Sequence, residues 1–469
     1  MLDLIKSQDP AAEALVDVTR GERLTYAGLI AKVVQAAEVL THLNPHRGVV
    51  FLGASPTTDF VALYLACLKQ GMPVLLRDAR APAQTLLETY LPSLVLEPLN
   101  ELPSTPDPKL SKFNLLSYSV KSGGPAYAVH PNLAVMLTTS GSTGSPKLVR
   151  LTQGNLKANA KSIASYLHLG PGERAIQSLP MHYSYGLSIL NSHLGSGGTV
   201  VLTPDSFLRP EFWKQVDTEA CTSFAGIPYM YETLHRIRFN PKKHPTLRSL
   251  TQAGGGLKRE LISHFHGLSV AANIDFYVMY GQTEASARIS YLPPSQLERK
   301  LGSIGIPIPD GRLSLRPVDG LEGQHELIYE GPNVMMGYAE SIADLAKGDE
   351  LLGSLATGDL ATVDEDGFFT LVGRLNRFAK LFGNRVGLED LERMVERDFK
   401  CSAAAIEGEN QLFLFLETLH DAIPDSIALS ISKSLQVPPN SIKIIHLDAI
   451  PRSSSGKMDY LALRGLKPC

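Results

Sequence analysis

The strongest constraint on the fold is an alternation of two hydrophobic patterns in the first part of the chain. Across residues 24–202, stretches with apolar residues at helical spacing alternate with short apolar runs. The pattern predicts helices over Tyr26–Leu40 and Phe60–Gln70 and strands over Gly48–Leu52 and Met72–Leu76. Repeated units of this kind are typical of mostly parallel sheets covered by helices. The sequence therefore predicts an α/β fold.

The chain is long enough for more than one domain, since its 469 residues exceed what one hydrophobic core usually supports. Between Ser286 and Gly373, short strand patterns separated by proline and glycine predict a small antiparallel β subdomain, with a hairpin over Leu360–Val372. After Leu375 the pattern is charged and mixed α+β. We therefore predict a large domain over residues 1–374 and a small mobile domain over residues 375–469.

Composition excludes several classes of function. The formal net charge is −3 and the sequence pI is near 6.5, so the whole protein is not drawn to nucleic acid or anionic membranes. Apolar runs such as Val49–Leu52 are far shorter than the ~18 residues of a membrane span, and the first residues lack a signal-peptide pattern. We expect a cytoplasmic protein without nucleic-acid or membrane partners. Its scattered cysteines are predicted to be structural thiols, and these are Cys67, Cys221, Cys401 and Cys469.

A run of small and hydroxylated residues ends in a cation at residues 139–147. It reads Thr-Ser-Gly-Ser-Thr-Gly-Ser-Pro-Lys and follows the apolar stretch Leu133–Leu137. Glycines let backbone N–H groups turn toward an anion, hydroxyls add donors, and lysine supplies charge, so the run suits polyphosphate. The Walker pattern does not fit, because Lys147 is followed by Leu148. A flexible solvent loop is the alternative for this run alone.

Four further segments carry side chains that could take part in binding or catalysis. They are Tyr280-Gly281-Gln282-Thr283-Glu284, Thr357-Gly358-Asp359, Gly373-Arg374 leading to Lys380-Leu381-Phe382-Gly383-Asn384-Arg385-Val386, and Pro451-Arg452-Ser453-Ser454-Ser455-Gly456-Lys457. Together with residues 139–147, and in the same order, they resemble the motifs of the adenylate-forming superfamily. That superfamily comprises acyl- and aryl-CoA synthetases, adenylation domains of nonribosomal peptide synthetases, and luciferases. Leu24-Thr25-Tyr26 also resembles its short strand-to-helix junction.

The resemblance implies an ATP site in the large domain. It assigns the phosphates to Thr139, Ser140, Gly141, Ser142, Thr143, Gly144 and Lys147, and the border of the adenine to Gly254, Gly255, Gly256 and Tyr280. Thr283 would contact the α-phosphate and Glu284 would hold Mg²⁺, which prefers oxygen ligands. On its own, the Tyr280–Glu284 segment is equally compatible with a turn and a capping glutamate.

The second and third segments imply a ribose site and a hinge. Asp359 is a short acceptor suited to a ribose diol, and Arg374 follows the predicted hairpin; a purely structural Asp–Arg pair is the alternative. The hinge position carries Asn376, where the family usually has Asp or Lys. Beyond the hinge, Lys380 and Gly383 would contact the thiol acceptor in the second half-reaction.

The resemblance gives the central catalytic role to Lys457. An exposed lysine is usually only a solubilising charge, but the matching lysine of the family bridges the acyl carboxylate and the α-phosphate. Two anions must meet in this reaction, and a positioned cation offsets their repulsion. The loop lysine, Lys147, is then expected to assist the departing pyrophosphate.

The acyl-substrate pocket is expected around Tyr183, Gly186 and Gly281. Tyr183 lies where amino-acid-activating relatives carry an aspartate that pairs the α-ammonium. An α-amino acid would bury its cation unpaired, so this substrate class is disfavoured. His182 is interpreted as a core histidine.

The expected activity is an ATP-dependent ligation in two half-reactions. A carboxylic acid, acyl or aryl, attacks the α-phosphate of Mg·ATP and releases pyrophosphate, and a thiol then takes the acyl group. Coenzyme A is the favoured acceptor. The alternatives are an acyl-AMP ligase that loads the phosphopantetheine arm of an acyl or peptidyl carrier protein, and an inactive nucleotide-binding scaffold. No insertion follows Arg374 of the kind that stops fatty acyl-AMP ligases at the adenylate.

Overall fold

The computed structural model of the chain describes residues 1–99, 117–122, 124–138, 147–318, 323–375, 378–381, 384–399, 401–408, 411–417, 424–435, 437–452 and 458–467. The helices are α1 Leu2–Lys6, α2 Tyr26–Leu43, α3 Thr58–Gln70, α4 Gln84–Tyr90, α5 Gln153–Tyr166, α6 Ser184–Gly195, α7 Pro210–Thr218, α8 Pro228–Arg236, α9 Arg259–Ala272, α10 Leu388–Phe399, α11 Pro424–Leu435 and α12 Tyr460–Gly465. The strands are β1 Glu13–Asp17, β2 Glu22–Thr25, β3 Val50–Ala54, β4 Val74–Asp78, β5 Leu94–Pro98, β6 Tyr118–Ser122, β7 Leu133–Thr138, β8 Leu148–Thr152, β9 Arg174–Ile176, β10 Thr199–Leu202, β11 Ser223–Gly226, β12 Ser249–Gln252, β13 Asp275–Tyr280, β14 Ser290–Leu292, β15 Ile306–Pro307, β16 Arg312–Pro317, β17 His325–Glu330, β18 Gly337–Ala339, β19 Ser354–Val363, β20 Phe369–Arg374, β21 Phe378–Leu381, β22 Asn384–Gly387, β23 Ser402–Gly408, β24 Gln411–Glu417 and β25 Ile442–Leu447.

The larger of two helix-covered sheets has nine described strands in the order β15-β14-β13-β12-β11-β9-β10-β1-β2. Strands β1, β10, β9, β11, β12 and β13 pair in parallel, and β2, β14 and β15 pair antiparallel at the two ends. The central strands β10 and β11 are buried along their whole length. This arrangement confirms the predicted α/β class.

The second large sheet has the order β18-β8-β7-β4-β3-β5-β6. Its β7, β4, β3 and β5 run parallel, while β8 returns antiparallel beside β7 and carries β18 on its other side. Helix α3 is buried along most of its length in the apolar core beside this sheet. The strand pair β7–β8 carries the residues that flank the 139–147 run.

The predicted junction at Leu24-Thr25-Tyr26 is a strand that passes directly into a helix. β2 ends at Thr25, and α2 begins at Tyr26. The Thr25 hydroxyl accepts a hydrogen bond from the backbone N–H of Gly28 at 3.1 Å and so caps the first turn. Buried Tyr26 donates its hydroxyl to the carbonyl of Gly198 at 2.8 Å, which fixes the helix on the nine-stranded sheet.

An antiparallel sheet of order β16-β17-β19-β20 forms within the region predicted as a β subdomain. The predicted hairpin is the pair β19–β20, which turns at Asp364–Gly367. Two other strands of the region, β14 and β15, instead extend the nine-stranded sheet. The subdomain is therefore smaller than the sequence pattern suggested, because strand spacing does not reveal which sheet a strand joins.

Near the C-terminus, β21 and β22 pair antiparallel and β23-β24-β25 form a further small sheet. Helices α10 and α11 contribute Leu391 and Ile431 to an apolar core that also contains Leu414 of β24. Strand β24 pairs antiparallel with β23 and parallel with β25. This is the mixed α+β pattern expected there.

The chain separates into two compact units. One holds the described residues of Met1–Thr139, Ser145–Leu313 and Tyr329–Leu355, and the other those of Ser314–Ile328 and Ala356–Cys469. The predicted domain boundary near Leu375 stays a prediction. Within the described ranges, every helix is too short or too polar to span a membrane. Burial raises the pKa of the Cys67 and Cys221 thiols to about 12, which makes both poor nucleophiles.

Candidate functional site

Three groups of predicted site residues lie at one edge of the nine-stranded sheet. Tyr183 follows β9, Gly254–Gly256 follow β12, and Gly281, Thr283 and Glu284 follow β13. These strands run parallel, so their carboxyl ends meet at the same edge. In open α/β sheets this edge is where ligands bind.

Glu284 and Lys147 are connected through Tyr338. The Tyr338 hydroxyl donates a hydrogen bond to Glu284 Oε1 at 2.8 Å. Lys147 Nζ lies 5.3 Å from the centroid of the same ring and 2.9 Å from Glu340 Oε1. Burial and then the Glu284 charge raise the pKa of Tyr338, so its hydroxyl stays a donor at neutral pH. The structure thus brings together the predicted metal ligand and the predicted phosphate-loop lysine.

Strand pairing explains this arrangement. β18 pairs with β8, which places Tyr338 opposite Val149 and Ala339 opposite Leu148, next to Lys147. The backbone N–H of Met335 donates to the carbonyl of Glu284 at 2.8 Å and holds the glutamate segment beside β18. No motif pointed to Tyr338, because its role arises from a strand pairing distant in sequence.

The 139–147 run connects two antiparallel strands. Thr138 of β7 lies opposite Leu148 of β8 in the ladder, so the residues that flank the run are held on the seven-stranded sheet. Of the predicted phosphate-binding residues, Lys147 is described, whereas Thr139, Ser140, Gly141, Ser142, Thr143 and Gly144 lie outside the described residues. Their roles stay predictions.

Thr283 lies in a short 3₁₀ turn over Thr283–Ala285, directly after β13. Its hydroxyl is 3.1 Å from that of Ser184, the first residue of α6. Tyr280, at the end of β13, accepts a hydrogen bond from the Gln282 side chain at 3.1 Å. Ser184 was not predicted, but it places a second hydroxyl beside the predicted α-phosphate contact.

Close packing requires three of the predicted glycines to lack a side chain. A Cβ on Gly254 would lie 2.6 Å from the Tyr183 hydroxyl, and one on Gly281 would overlap the carbonyl of Ala287. A Cβ on Gly186 would overlap the carbonyl of Pro180. Gly254 and Gly281 thus border the space around Tyr183 and the glutamate turn, while Gly186 seats α6 against the preceding segment.

Tyr183, a residue of the predicted acyl pocket, packs against a second tyrosine that also contacts an arginine. Tyr183 and Tyr185 meet edge to face with ring centroids 6.4 Å apart. The guanidinium carbon of Arg288 lies 3.9 Å from the centroid of the Tyr185 ring. Burial raises the pKa of Tyr183 to about 12, and the positive charge of Arg288 opposes this rise. His182 is half-buried, and burial lowers its pKa, as suits a neutral packed histidine.

Asp359 and Arg374 face each other within the antiparallel sheet of the second unit. They are register partners on β19 and β20, and Asp359 Oδ1 lies 2.8 Å from Arg374 Nε. The Asp359 side chain is 3% exposed and that of Arg374 52% exposed. The preceding Gly358 has φ +71° and donates its N–H to Glu326 at 3.1 Å. The structure confirms the pair and leaves its role in ribose binding a prediction.

The remaining predictions fall largely outside what the structure describes. Lys380 lies in β21 opposite Arg385, with its backbone alone described. Asn376, Gly383 and Lys457 lie outside the described residues.

The residues around Glu284 are compatible with Mg²⁺. No group of three or more His, Cys, Asp or Glu side chains is arranged for a metal within the described part of the chain. Mg²⁺ in nucleotide enzymes is commonly held by one or two carboxylates, substrate phosphates and waters, so a single glutamate beside a phosphate loop fits. The Tyr338 hydroxyl would orient that carboxylate.

Comparison with known proteins identifies relatives over most of the chain. A family model described as AMP-binding enzyme matches residues 5–339. Feruloyl-CoA synthase from Amycolatopsis sp. is 29% identical over 323 residues, which cover 67% of this chain and 61% of that protein. L-proline–[L-prolyl-carrier protein] ligase from Pseudomonas fluorescens is 27% identical over 501 aligned positions, covering 97% of this chain and 96% of that protein.

A solved structure shares the fold over nearly the whole length. The o-succinylbenzoate CoA synthetase of Bacillus subtilis, in complex with its acyl-adenylate intermediate, superposes with a TM-score of 0.78 at 22% identity. The match covers 99% of this chain and 97% of that one. The same synthetase has been solved with ATP and a magnesium ion. The likeness confirms the predicted fold class.

Proposed function

Because the chain belongs to the adenylate-forming superfamily of AMP-binding enzymes, as its motifs predict, we propose that it activates a carboxylic acid with ATP and passes the acyl group to a thiol. The observation that supports this most is the contact series from Glu284 through Tyr338 to Lys147. It joins an oxygen ligand suited to Mg²⁺ with a cation at the end of the glycine-rich run. ATP cleavage needs both in one place.

In the first half-reaction, the acid attacks the α-phosphate and pyrophosphate leaves. Lys147 is half-exposed and paired with exposed Glu340, an ion pair worth about 0–1 kcal/mol that a phosphate can replace. The hydroxyls of Thr283 and Ser184 bind the α-phosphate oxygens in this proposal. Mg²⁺ held at Glu284 would neutralise phosphate charge. Lys457 bridges the acyl carboxylate and the α-phosphate.

In the second half-reaction, a thiol attacks the acyl carbon of the adenylate and AMP leaves. Lys457 must first withdraw from the site, so the segment after Arg374 acts as a hinge at Asn376. Lys380 and Gly383 then contact the thiol's pantetheine arm. Asp359 and Arg374 hold the ribose through both steps.

Coenzyme A is the acceptor we favour, and a carrier protein is the second candidate. Feruloyl-CoA synthase supports the first and the proline ligase, which covers almost the whole chain, supports the second. Both acceptors present the same thiol. The carrier-protein candidate predicts transfer to a phosphopantetheinylated carrier at low concentration.

The acid is proposed to be acyl or aryl rather than an α-amino acid. Arg288 places a positive charge close enough to Tyr183 to act on its pKa, and an α-ammonium bound there would be repelled. The proline ligase among the relatives makes this a point that needs a direct test.

The test is a panel of aliphatic, aryl and amino acids in acid-dependent exchange of labelled pyrophosphate into ATP. Acids that support exchange are then offered with coenzyme A or a phosphopantetheinylated carrier, and the thioester is identified by mass spectrometry. Exchange with aryl or aliphatic acids and a coenzyme A thioester is expected. An enzyme that exchanges with amino acids alone would contradict the substrate class, and a protein inactive with every acid would revive the scaffold alternative.

A further inference from the structure

Arg288 is a buried cation whose guanidinium lacks a counter-ion in the structure. It lies between β13 and β14 and is 2% exposed. Among the described residues, its Nε has no hydrogen-bond partner and its guanidinium forms no ion pair. The guanidinium instead lies against the face of Tyr185, at 3.9 Å from the ring centroid.

The other buried arginines of the described chain are paired. Arg77 contacts the carboxylate of Glu97, and Arg150 contacts that of Glu350 together with the carbonyl of Tyr338 at 3.1 Å. Burying a guanidinium without an anion costs several kcal/mol, and arginine does not escape this cost by losing its proton. Among the buried arginines of the described chain, Arg288 therefore differs in having no anionic partner.

The tyrosines around Arg288 do not supply a negative charge. Burial raises the pKa of Tyr183 to about 12 and also raises the pKa values of Tyr166 and Tyr185. The Tyr166 hydroxyl donates to Met279 Sδ at 3.0 Å. The tyrosine rings near Arg288 are therefore neutral, and they interact with the guanidinium as aromatic rings rather than as a counter-ion.

The backbone of Arg288 is firmly held, so the side chain is positioned rather than loose. The Asn333 side chain donates to its carbonyl at 2.9 Å, and the Asn159 side chain donates to the same oxygen at 3.3 Å. A Cβ on Gly281 would lie 2.9 Å from the Arg288 Cα. Arg288 thus packs directly against the glycine of the Tyr280–Glu284 segment, on the side of Tyr183 and Tyr185.

We propose that Arg288 is a specificity-determining residue that pairs with a second carboxylate of the acid substrate. The enzyme then prefers a dicarboxylic acid, one carboxylate reacting with ATP and the other bound by the guanidinium, stacked on Tyr185. This inference rests on the proposed function. A bidentate guanidinium–carboxylate pair in a desolvated site discriminates strongly against an acid that lacks the second group.

The test is calorimetric titration of matched acids into the full-length protein with Mg²⁺ and α,β-methylene-ATP. The pairs are hexanoate with adipate, butanoate with succinate, and benzoate with terephthalate. Wild type is compared with Arg288→Met, with Arg288→Lys, and with Arg312→Met, which makes the same change at a side chain that is 74% exposed. Thermal unfolding without ligand is recorded for each variant.

At least one diacid is expected to bind wild type about tenfold or more tightly than its monoacid partner. Arg288→Met should abolish that preference and change monoacid binding less than about threefold, Arg288→Lys should keep part of it, and Arg312→Met should keep all of it. Without ligand, Arg288→Met should unfold at the wild-type temperature or higher, because a buried unpaired charge is replaced by an apolar side chain of similar length.

A wild-type protein that binds no diacid of the panel more tightly than its monoacid would overturn the proposal. Equal losses for monoacids and diacids in Arg288→Met, with a lower unfolding temperature, would also overturn it and make Arg288 a structural residue. Pyrophosphate exchange separates this failure from failure of the proposed function. Exchange that is equally fast with monoacids would support the ligase activity and contradict the diacid preference. Diacid binding that depends on Arg288 but is not accompanied by exchange would contradict the ligase activity.

Discussion

Asp359 and Arg374 stand opposite each other on β19 and β20, with Asp359 Oδ1 2.8 Å from Arg374 Nε. The carboxylate is buried and the guanidinium is half-exposed, so the ion pair holds the aspartate in a fixed orientation. In the proposed function, this oriented carboxylate accepts hydrogen bonds from the ribose diol. The strand pairing that creates it also links two motifs that lie apart in sequence.

The first prediction concerns that aspartate. Asp359→Asn should raise the KM for ATP about 10- to 100-fold, because a charged acceptor to the ribose is replaced by a neutral one, at a cost of ~1.5–3 kcal/mol. Thermal unfolding is recorded for the same variant, because removing the charge of a buried carboxylate that pairs with Arg374 also lowers stability. Steady-state kinetics against ATP measure the KM, with the exposed turn variant Asp366→Asn as control. An unchanged KM for ATP would leave Asp359 with the structural role alone.

The second prediction concerns Tyr338. Tyr338→Phe removes the hydroxyl that orients Glu284 and keeps the ring beneath Lys147. The Mg²⁺ concentration for half-maximal pyrophosphate exchange should rise about tenfold, as expected when a residue that orients a metal ligand is lost. Tyr127→Phe, which removes a hydroxyl bonded to the Tyr90 carbonyl, should have no such effect. Identical Mg²⁺ dependence in Tyr338→Phe and wild type would argue against Glu284 as the metal ligand.

The third prediction is a steric one. Gly281→Ala would drive a methyl group into the Ala287 carbonyl and displace the turn that carries Thr283 and Glu284. Exchange activity should fall by about 10²-fold or more, since small displacements of reacting groups are costly. Gly267→Ala is the matched control, because a methyl group there meets no atom within 4 Å and should stabilise helix α9 by about 0.5–1 kcal/mol. Full activity in Gly281→Ala would show that the turn is not where the reaction takes place.

The fourth prediction is a pH dependence of stability. Burial raises the pKa of Asp59, but its bonds to Lys32, Arg20 and Ser117 outweigh burial and lower it from 3.8 to about 2. A carboxyl with a lowered folded pKa stabilises the protein above its unfolded pKa and loses this effect as pH falls toward the folded value. The contribution is on the order of 2 kcal/mol.

Asp59→Asn should therefore unfold at a lower temperature than wild type at pH 7 and pH 5, with a constant difference. Between pH 4 and pH 2 the difference should shrink. Differential scanning calorimetry of both proteins across this range measures it. A difference that persists unchanged at pH 2 would mean that the ionised carboxylate is not what stabilises the site.

The sequence predicted the elements of this fold well where one residue pattern decides the structure. Helix α2 follows from its periodicity, and the β19–β20 hairpin follows from its Asp-Gly turn. It did not predict that β14 and β15 join the nine-stranded sheet, since the choice of neighbour depends on long-range packing. The contact between Tyr338 and Glu284 could not be predicted for the same reason, because it depends on the pairing of β18 with β8.

In the candidate site, too, some residues could be identified from local sequence and others only from the tertiary structure. Glu284, Lys147, Asp359 and Arg374 were identified because the segments that carry them resemble the motifs of the superfamily. Arg288 carried a weaker signal, a lone arginine in a run of small residues, and its importance appears only with its burial and its missing partner. Pairing and burial are tertiary properties, and a single sequence does not display them.

The most direct measurement is exchange of labelled pyrophosphate into ATP by wild type and by Lys457→Ala, with and without an acid that the panel identifies. We expect exchange that requires the acid and falls about 10²–10³-fold in the variant, the loss typical of removing one preorganised charge-stabilising donor. Acid-independent exchange, or a wild-type rate in Lys457→Ala, would contradict it.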